Sequence, residues 1–297
     1  MKCGVKILGL CVLWGIVLLL PLTGFAGTPA ATDTLATEIP APVWDRKLPL
    51  FADWAVKRGI DLPNPLGAGF FAVFMERDIA IDDVRVTLDN SEPASISDVA
   101  AFTLRNKTTL AALKLDAWVL PVLNVYGLVG RTWTESNLGV AVTIDPIIGD
   151  PVTINLKDSS NVGGPFVGGG ATLVAGYGQW FIMGDANYTY TNLEQFDGNI
   201  EELFLSGRTG WSGDLSWGAW RAWVGAAYLD SGRTLTISQQ SQILGEVIVE
   251  IDQRPLNPLT YELGASTSIG RHWETMLEVG SNFDDAFLFV FSAAYRI

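Results

Sequence analysis

The sequence predicts an all-β protein, a transmembrane antiparallel up-and-down β-barrel that follows a short N-terminal helix. Three observations predict this fold. Apolar residues alternate with polar or small ones from residue 66 onward, aromatic residues gather at the ends of the apolar faces, and no apolar run after residue 26 is long enough for a membrane-spanning helix. In lipid, only helices and closed barrels satisfy their own backbone polar groups.

Composition narrows the function classes before any motif is considered. The 297 residues include 19 Lys and Arg against 32 Asp and Glu, a formal charge of -13, with 48% hydrophobic and 17% charged residues. So few charged residues exclude a disordered chain. The acidic balance argues against a nucleic-acid binder, which needs a basic face to neutralise phosphates. Composition alone leaves a soluble globule and a membrane protein both open.

The first segment, residues 1–26, has the pattern of a secretory signal peptide, with lysines before an apolar core at 7–20 and small residues near its end. We expect cleavage after Ala26. The alternative, a retained membrane anchor, is disfavoured because the apolar core is shorter than a spanning helix. Both cysteines, Cys3 and Cys11, lie in this segment, so the processed chain would hold no disulfide and no cysteine nucleophile.

Residues 27–65 are predicted to form a leader that precedes the barrel. Residues 28–42 are small, polar and Pro-rich, which is typical of a flexible linker. Apolar residues within 43–60 are spaced as one helical face, which predicts a short amphipathic helix on the periplasmic side. A plug or an interfacial anchor is the alternative role for this helix. The Pro-containing segment 61–65 ends it.

The barrel is predicted to occupy residues 66–297 with about twelve strands, within a range of about ten to fourteen. The predicted strands are 66–76, 79–88, 98–106, 109–119, 122–134, 166–177, 179–192, 200–211, 216–229, 258–270, 272–283 and 286–297. The strands within 79–106 are the least regular, because charged residues at 82–85 interrupt the alternation. The long segments 135–165 and 230–257 each contain β-branched runs that predict a hairpin of their own.

The connections predict which end of the barrel faces outward. If both chain ends lie in the periplasm, the turns near residues 121, 178, 212–215 and 270–272 fall on that side, and all are short. The two long segments then fall on the outer side. Short inner turns and long outer loops are the rule for outer-membrane barrels.

The last strand carries a resemblance to a known superfamily. Outward positions Phe287, Phe289, Phe291, Tyr295 and Ile297 alternate with smaller or polar residues. This run is similar to the C-terminal strand of bacterial outer-membrane β-barrels, although the terminal residue is Ile and not Phe. The resemblance implies an outer-membrane location in a Gram-negative-type bacterium, with membrane lipid and the barrel-assembly machinery as partners. It is architectural, and it transfers no functional residues.

The polar faces of the predicted strands supply the candidate lumen-lining residues. They are Lys114, Asp116, Asn124, Asp185, Asn187, Glu202, Arg208, Arg221, Glu262, Glu274 and Glu278. One interpretation is a mildly anionic pore whose charges of both signs orient polar solutes. The other is an interior of mutually paired side chains. Bulky Trp118, Phe166 and Trp223 are expected to narrow the lumen.

These patterns favour a passive, porin-like channel for a small polar solute. A plugged structural or adhesive barrel that acts through its outer loops is one alternative, and an outer-membrane enzyme is another. The single histidine, His272, falls at a predicted periplasmic turn, away from the outer rim. No convincing set of catalytic residues is evident, and we expect neither a metal site nor a cofactor.

Overall fold

The computed structural model describes residues 44–58, 60–88, 92, 94–95, 100–144, 152–194, 199–241 and 245–297. The predicted signal peptide, its cleavage after Ala26 and the start of the leader lie outside these residues and stay predictions. Within the described residues the elements are α1 (Ala52–Val56), β1 (Leu66–Leu88), β2 (Ala94–Ser95), β3 (Ala100–Leu120), β4 (Leu123–Ile144), β5 (Val152–Tyr177), β6 (Trp180–Asn192), β7 (Asn199–Leu215), β8 (Gly218–Asp230), β9 (Arg233–Ser241), β10 (Gly245–Pro255), β11 (Leu259–Ile269), β12 (Trp273–Ser281) and β13 (Ala286–Arg296).

Ten of these strands form a closed antiparallel ring. The ring runs in the order β1, β3, β4, β5, β6, β7, β8, β11, β12 and β13, and β13 pairs back onto β1. Closure leaves the ring without a free edge, which is how a barrel satisfies its backbone hydrogen bonds. The prediction of an all-β antiparallel barrel is therefore confirmed, and the count of twelve strands is corrected to ten.

The count was wrong because two long strands were each divided. The predicted breaks at 77–78 and 107–108 are absent: β1 and β3 run through them without interruption. β1 pairs with β13 as far as Arg77 and with β10 from Ile79, so its partner changes just before the charged segment 82–85. A register shift between Ile81 and Asp83 alters the alternation at the same place. An irregular pattern was thus produced by a bulge and not by a turn.

The two predicted hairpins are present, and they differ in their relation to the ring. In the first, β4 and β5 extend their pairing as far as Ile144 and Val152. In the second, β9 and β10 form a hairpin between β8 and β11, which pair directly with each other. This second hairpin therefore lies outside the ring, and β10 pairs antiparallel with residues 79–88 of β1.

The N-terminal helix predicted over 43–60 is not confirmed at that length. The only helix among the described residues is the single turn α1. The described residues contain no helix that is long and apolar enough to cross a membrane. Phe51, which precedes α1, has a φ of 64°, a left-handed conformation that stops the helix from extending backward. After α1, the amide of Ile60 donates to the carbonyl of Ala55 and closes the turn.

The leader is attached to one end of the ring. Ala52 and Ala55 pack with Leu62, and Trp44 covers them. The amide of Leu50 donates to the carbonyl of Val119 at 2.9 Å, which ties the leader to the end of β3. We call this end of the ring the short-turn end, because the turns at 121–122, 178–179, 216–217 and 270–272 are there. The opposite end, with the longer connections, is the long-loop end.

The ring has an inverted distribution of side chains. Its outer face exposes large apolar residues such as Leu113 (61% exposed), Leu173, Ile182 and Leu263. Its inner face buries polar and charged residues, of which Glu278 is the largest fully buried side chain. A water-soluble fold places these residue classes the other way round.

Candidate lumen site

One cavity of about 1280 Å³ occupies the inside of the ring. Its lining includes Gly178 and Gly270 at the short-turn end and Ser231 and Gln253 at the long-loop end, so it reaches both ends. The cavity is therefore the place where a solute would contact this protein.

The structure places the predicted lumen residues around this cavity. Ten of the eleven line it directly: Lys114, Asp116, Asn124, Asp185, Asn187, Glu202, Arg208, Arg221, Glu274 and Glu278. The eleventh, Glu262, has a fully buried side chain against Arg208. They share the inward face because strand residues two apart point to the same side. Their role as the lining of a conducting pore stays a prediction.

Five of the inward side chains form a cluster near the short-turn end. Arg296 contacts Asp116 at 2.9 Å and Glu274 at 3.0 Å, and Arg221 reaches Glu274 at 3.3 Å. Asn124 donates to Asp116 at 2.7 Å. We call this group the short-turn cluster, and its two cations balance its two carboxylates. Arg296 occupies an inward position of the last strand, where the alternation could have found it.

A second group, the middle cluster, crosses the ring from β7 to β12. Arg208 donates from Nε and Nη2 to Glu278 at 2.8 and 2.9 Å, and the indole of Trp223 donates to the same carboxylate at 2.6 Å. Arg208 also lies 3.0 Å from Glu262. On β6, the strand next to β7, Asp185 accepts a 2.8 Å hydrogen bond from the Tyr126 hydroxyl. One arginine therefore serves two carboxylates here.

An apolar patch interrupts this polar lining. Ala112, Leu128 and Phe166 are buried together, and Phe71 and Leu110 pack against them. All lie on the inner faces of β1, β3, β4 and β5, two of which also carry Asp116 and Asn124 of the short-turn cluster. The three bulky residues that were expected to narrow the lumen, Trp118, Phe166 and Trp223, line the cavity.

The third group lies toward the long-loop end and was missed by the sequence analysis. Arg77 of β1 is directly opposite Asn106 of β3, and both line the cavity while being buried. Asp285 and Glu202 lie within electrostatic reach of Arg77. We call these four residues the long-loop cluster. Arg77 was missed because the predicted break at 77–78 removed it from any strand face.

The remaining candidate group is His272 at the short-turn end. Its Nδ1 lies 2.8 Å from the backbone oxygen of Arg296 and 3.2 Å from the side-chain nitrogen of Asn64. The imidazole thus joins the leader to the last strand. Across the part of the chain that the structure describes, no group of three or more His, Cys, Asp or Glu side chains is arranged to hold a metal ion.

Comparisons with known proteins reach this chain only through structure. No family model matches it, and no curated protein does. The outer membrane protein OprG from Pseudomonas aeruginosa is 13% identical, with 80% of this chain and 100% of that chain covered and a TM-score of 0.38. The transport unit of the autotransporter AIDA-I from Escherichia coli is 6% identical, with 78% and 89% covered and a TM-score of 0.35. The toluene transporter TbuX from Ralstonia pickettii is 9% identical, with 77% and 90% covered and a TM-score of 0.31.

The barrel architecture expected from the superfamily resemblance is confirmed by the chain itself, whose strands pair into a closed antiparallel ring.

Proposed function

We propose that this protein is an outer-membrane β-barrel of a Gram-negative-type bacterium and acts as a passive channel for small polar solutes. The inverted distribution of side chains supports a membrane location. Side chains such as Leu113, Leu173 and Leu263 are exposed, which water penalises and hydrocarbon favours. Membrane lipid and the barrel-assembly machinery are the partners that this location implies.

Exposed aromatic side chains at both ends of the outer face support the same proposal. Trp180 and Trp211 contact each other at 3.8 Å between ring centroids near the short-turn end, where Trp273 also begins β12. Tyr190 and Tyr228 lie near the long-loop ends of β6 and β8. Such rings are favoured at membrane–water interfaces, where the polar group stays hydrated while the ring meets lipid. The short-turn end would then face the periplasm.

The observation that carries the channel proposal is the cavity whose lining residues extend from one end of the ring to the other. The short-turn and middle clusters place charges of both signs on its walls. A polar solute can exchange hydrogen bonds with water for hydrogen bonds with such walls, so its passage costs less than through lipid. Ten strands give a lumen between the filled eight-stranded barrels and the wide sixteen-stranded porins.

One observation favours a plugged structural or adhesive barrel as the second candidate. The leader residues Trp54, Arg58 and Asp61 line the cavity at the short-turn end, and Asp61 pairs with Arg271 at 2.9 Å. A leader fixed in this position would narrow the periplasmic mouth. In that case the function would reside in the outer loops.

Single-channel recording in planar lipid bilayers separates the two candidates. We expect the processed chain to give discrete current steps in potassium chloride. A variant lacking residues 27–60 is expected to give larger steps, because it removes Trp54 and Arg58 from the mouth. Current steps seen only in the variant lacking residues 27–60 would favour the plugged alternative, and a folded barrel that carries no current in either form would reject the channel.

A further inference from the structure

The long-loop cluster contains hydrogen-bonding groups that no described residue satisfies. Arg77 is 4% exposed, and its Nε and Nη1 have no hydrogen-bond partner among the described residues. Asn106, directly across from it, is also buried, and its Oδ1 is likewise without a partner in the described part of the chain. Leaving such groups unsatisfied is costly in a folded protein. Both residues line the cavity, although the unsatisfied atoms themselves are buried, so a molecule in the lumen reaches these atoms when the two side chains turn toward it.

The groups around Arg77 offer acceptors as well as donors. Asp285 has one oxygen bonded to Asn282, while its buried Oδ2 accepts no hydrogen bond among the described residues. Glu202 accepts a hydrogen bond from Thr189 at 3.4 Å. Hydroxyls surround the same part of the cavity, which is lined by Thr108, Thr132, Thr134, Thr189 and Thr191. The cluster therefore presents a cationic donor and several acceptors to one small volume.

We propose that the long-loop cluster is a binding site for a neutral polyhydroxylated solute of the carbohydrate class. This proposal rests on the proposed function, since it names the solute class that the channel selects. A hydroxyl group both accepts and donates hydrogen bonds. One solute hydroxyl accepts from Arg77, and a neighbouring hydroxyl donates to the side-chain oxygen of Asn106.

The charges of the cluster disfavour ionic solutes. An anion drawn to Arg77 meets Asp285 and Glu202, which lie within electrostatic reach of the same guanidinium. A cation drawn to those carboxylates meets Arg77. A neutral solute meets neither repulsion and loses no charge hydration. The apolar side chains of Val73 and Met75, the inward neighbours of Arg77 on β1, line the cavity and can cover the C–H face of a sugar ring.

Glucose is the probe for the test, and the processed full chain is purified in detergent and reconstituted in planar bilayers. Binding is followed by saturation-transfer NMR of glucose, and block is followed as the fall in potassium chloride current with added glucose. We expect saturable binding by the wild type. Arg77→Met and Asn106→Leu are each expected to weaken it by about tenfold, the loss of a hydrogen bond to a charged or buried group.

Arg105→Met is the matched control. It also removes one arginine from the long-loop half of the barrel, but Arg105 is exposed and pairs with Asp78 away from the cavity. It should bind glucose as the wild type does. Heat-modifiable migration on gels confirms that each variant is folded, and Asn106→Leu tests the site if Arg77→Met does not fold.

Three results would overturn the proposal: no saturable glucose binding, equal binding by wild type and Arg77→Met, or Arg77-dependent binding of acetate that is tighter than that of glucose. Failure of the channel itself gives a different result. A barrel that binds glucose through Arg77 in detergent but carries no current rejects the channel and retains the site.

Discussion

At the scale of single residues, the middle cluster shows that the direction of the arginine N–H groups decides which of two carboxylates is hydrogen-bonded. Arg208 lies near two buried carboxylates, yet its single Nε hydrogen and one Nη2 hydrogen are directed to Glu278. Glu278 also accepts from the Trp223 indole. Glu262 is 3.0 Å from Arg208 Nε but accepts no hydrogen bond from the described residues, so its contact is electrostatic only. The two glutamates are thus similarly buried, but we expect them to contribute differently to the stability of the barrel.

We therefore expect Glu278→Gln and Glu262→Gln to differ in stability. Glu278→Gln should lower the free energy of unfolding by about 3 kcal/mol, because Arg208 loses its bidentate partner inside the barrel. Glu262→Gln should change it by less than about 1 kcal/mol, because it removes one of two like charges and no hydrogen bond. Urea titration in phospholipid vesicles, followed by tryptophan fluorescence, measures both. Equal losses would show that Glu262 is as strong a partner of Arg208 as Glu278.

The alternation placed Arg208, Glu262 and Glu278 on the inner face, but it could not pair them. Their strands β7, β11 and β12 are not all neighbours in the ring, so contact between them depends on the curvature of the closed wall. That curvature follows from the strand number and from the register, and both are properties of the whole ring. A local pattern fixes the direction of a side chain and leaves its partner open.

At the scale of elements, the hairpin of β9 and β10 is an addition to a barrel that closes without it. β8 and β11 pair along their whole length, from Leu259 opposite Tyr228 to Thr267 opposite Trp220. In the ring, the hairpin pairs with residues 79–88 of β1, where Arg85 forms a 2.9 Å ion pair with Asp252.

We expect that replacing residues 231–257 with a short Gly-Ser turn leaves the barrel folded but exposes the end of β1. The ring should keep its heat-modifiable migration, because none of its ten strands is removed. Trypsin should then cut after Arg85 faster than in the intact chain, because Arg85 loses its pairing with β10 and keeps only the two-residue strand β2 as a neighbour. Mass spectrometry of the fragments identifies the cut. Loss of the folded form would show instead that the hairpin is needed for closure.

The sequence predictions were wrong in segments where tertiary contacts act against the local pattern of apolar residues. Most ring strands were placed within a few residues, because each has one apolar outer face and one inner face toward the cavity. The upper part of β1 has a different partner and a shifted register, so its pattern resembled a break. The leader helix failed for a different reason: its apolar spacing is helical, but Phe51 adopts a left-handed conformation and the segment packs by contacts with the ring. Tertiary contacts overrode a local preference in both places.

At the scale of the whole molecule, the outer face divides into a central apolar band and two flanking regions. The band contains Leu263 of β11, 59% exposed, between the aromatic residues of the two ends. Asn137 of β4 also points outward and is exposed, but it lies beyond Trp133 toward the long-loop end. If lipid surrounds the band, the two positions meet different solvents although both side chains are exposed on the outer face.

An arginine placed at these two positions tests that difference with the same added charge. Leu263→Arg should lower the free energy of unfolding in vesicles by about 2–4 kcal/mol, which is the cost of placing a cation near the bilayer midplane. Asn137→Arg should cost less than about 1 kcal/mol, because its guanidinium stays in water or among headgroups. Equilibrium urea titrations of both variants beside the wild type give the comparison. Equal costs would mean that the apolar band is not in hydrocarbon, because the added charge would then meet the same solvent at both positions.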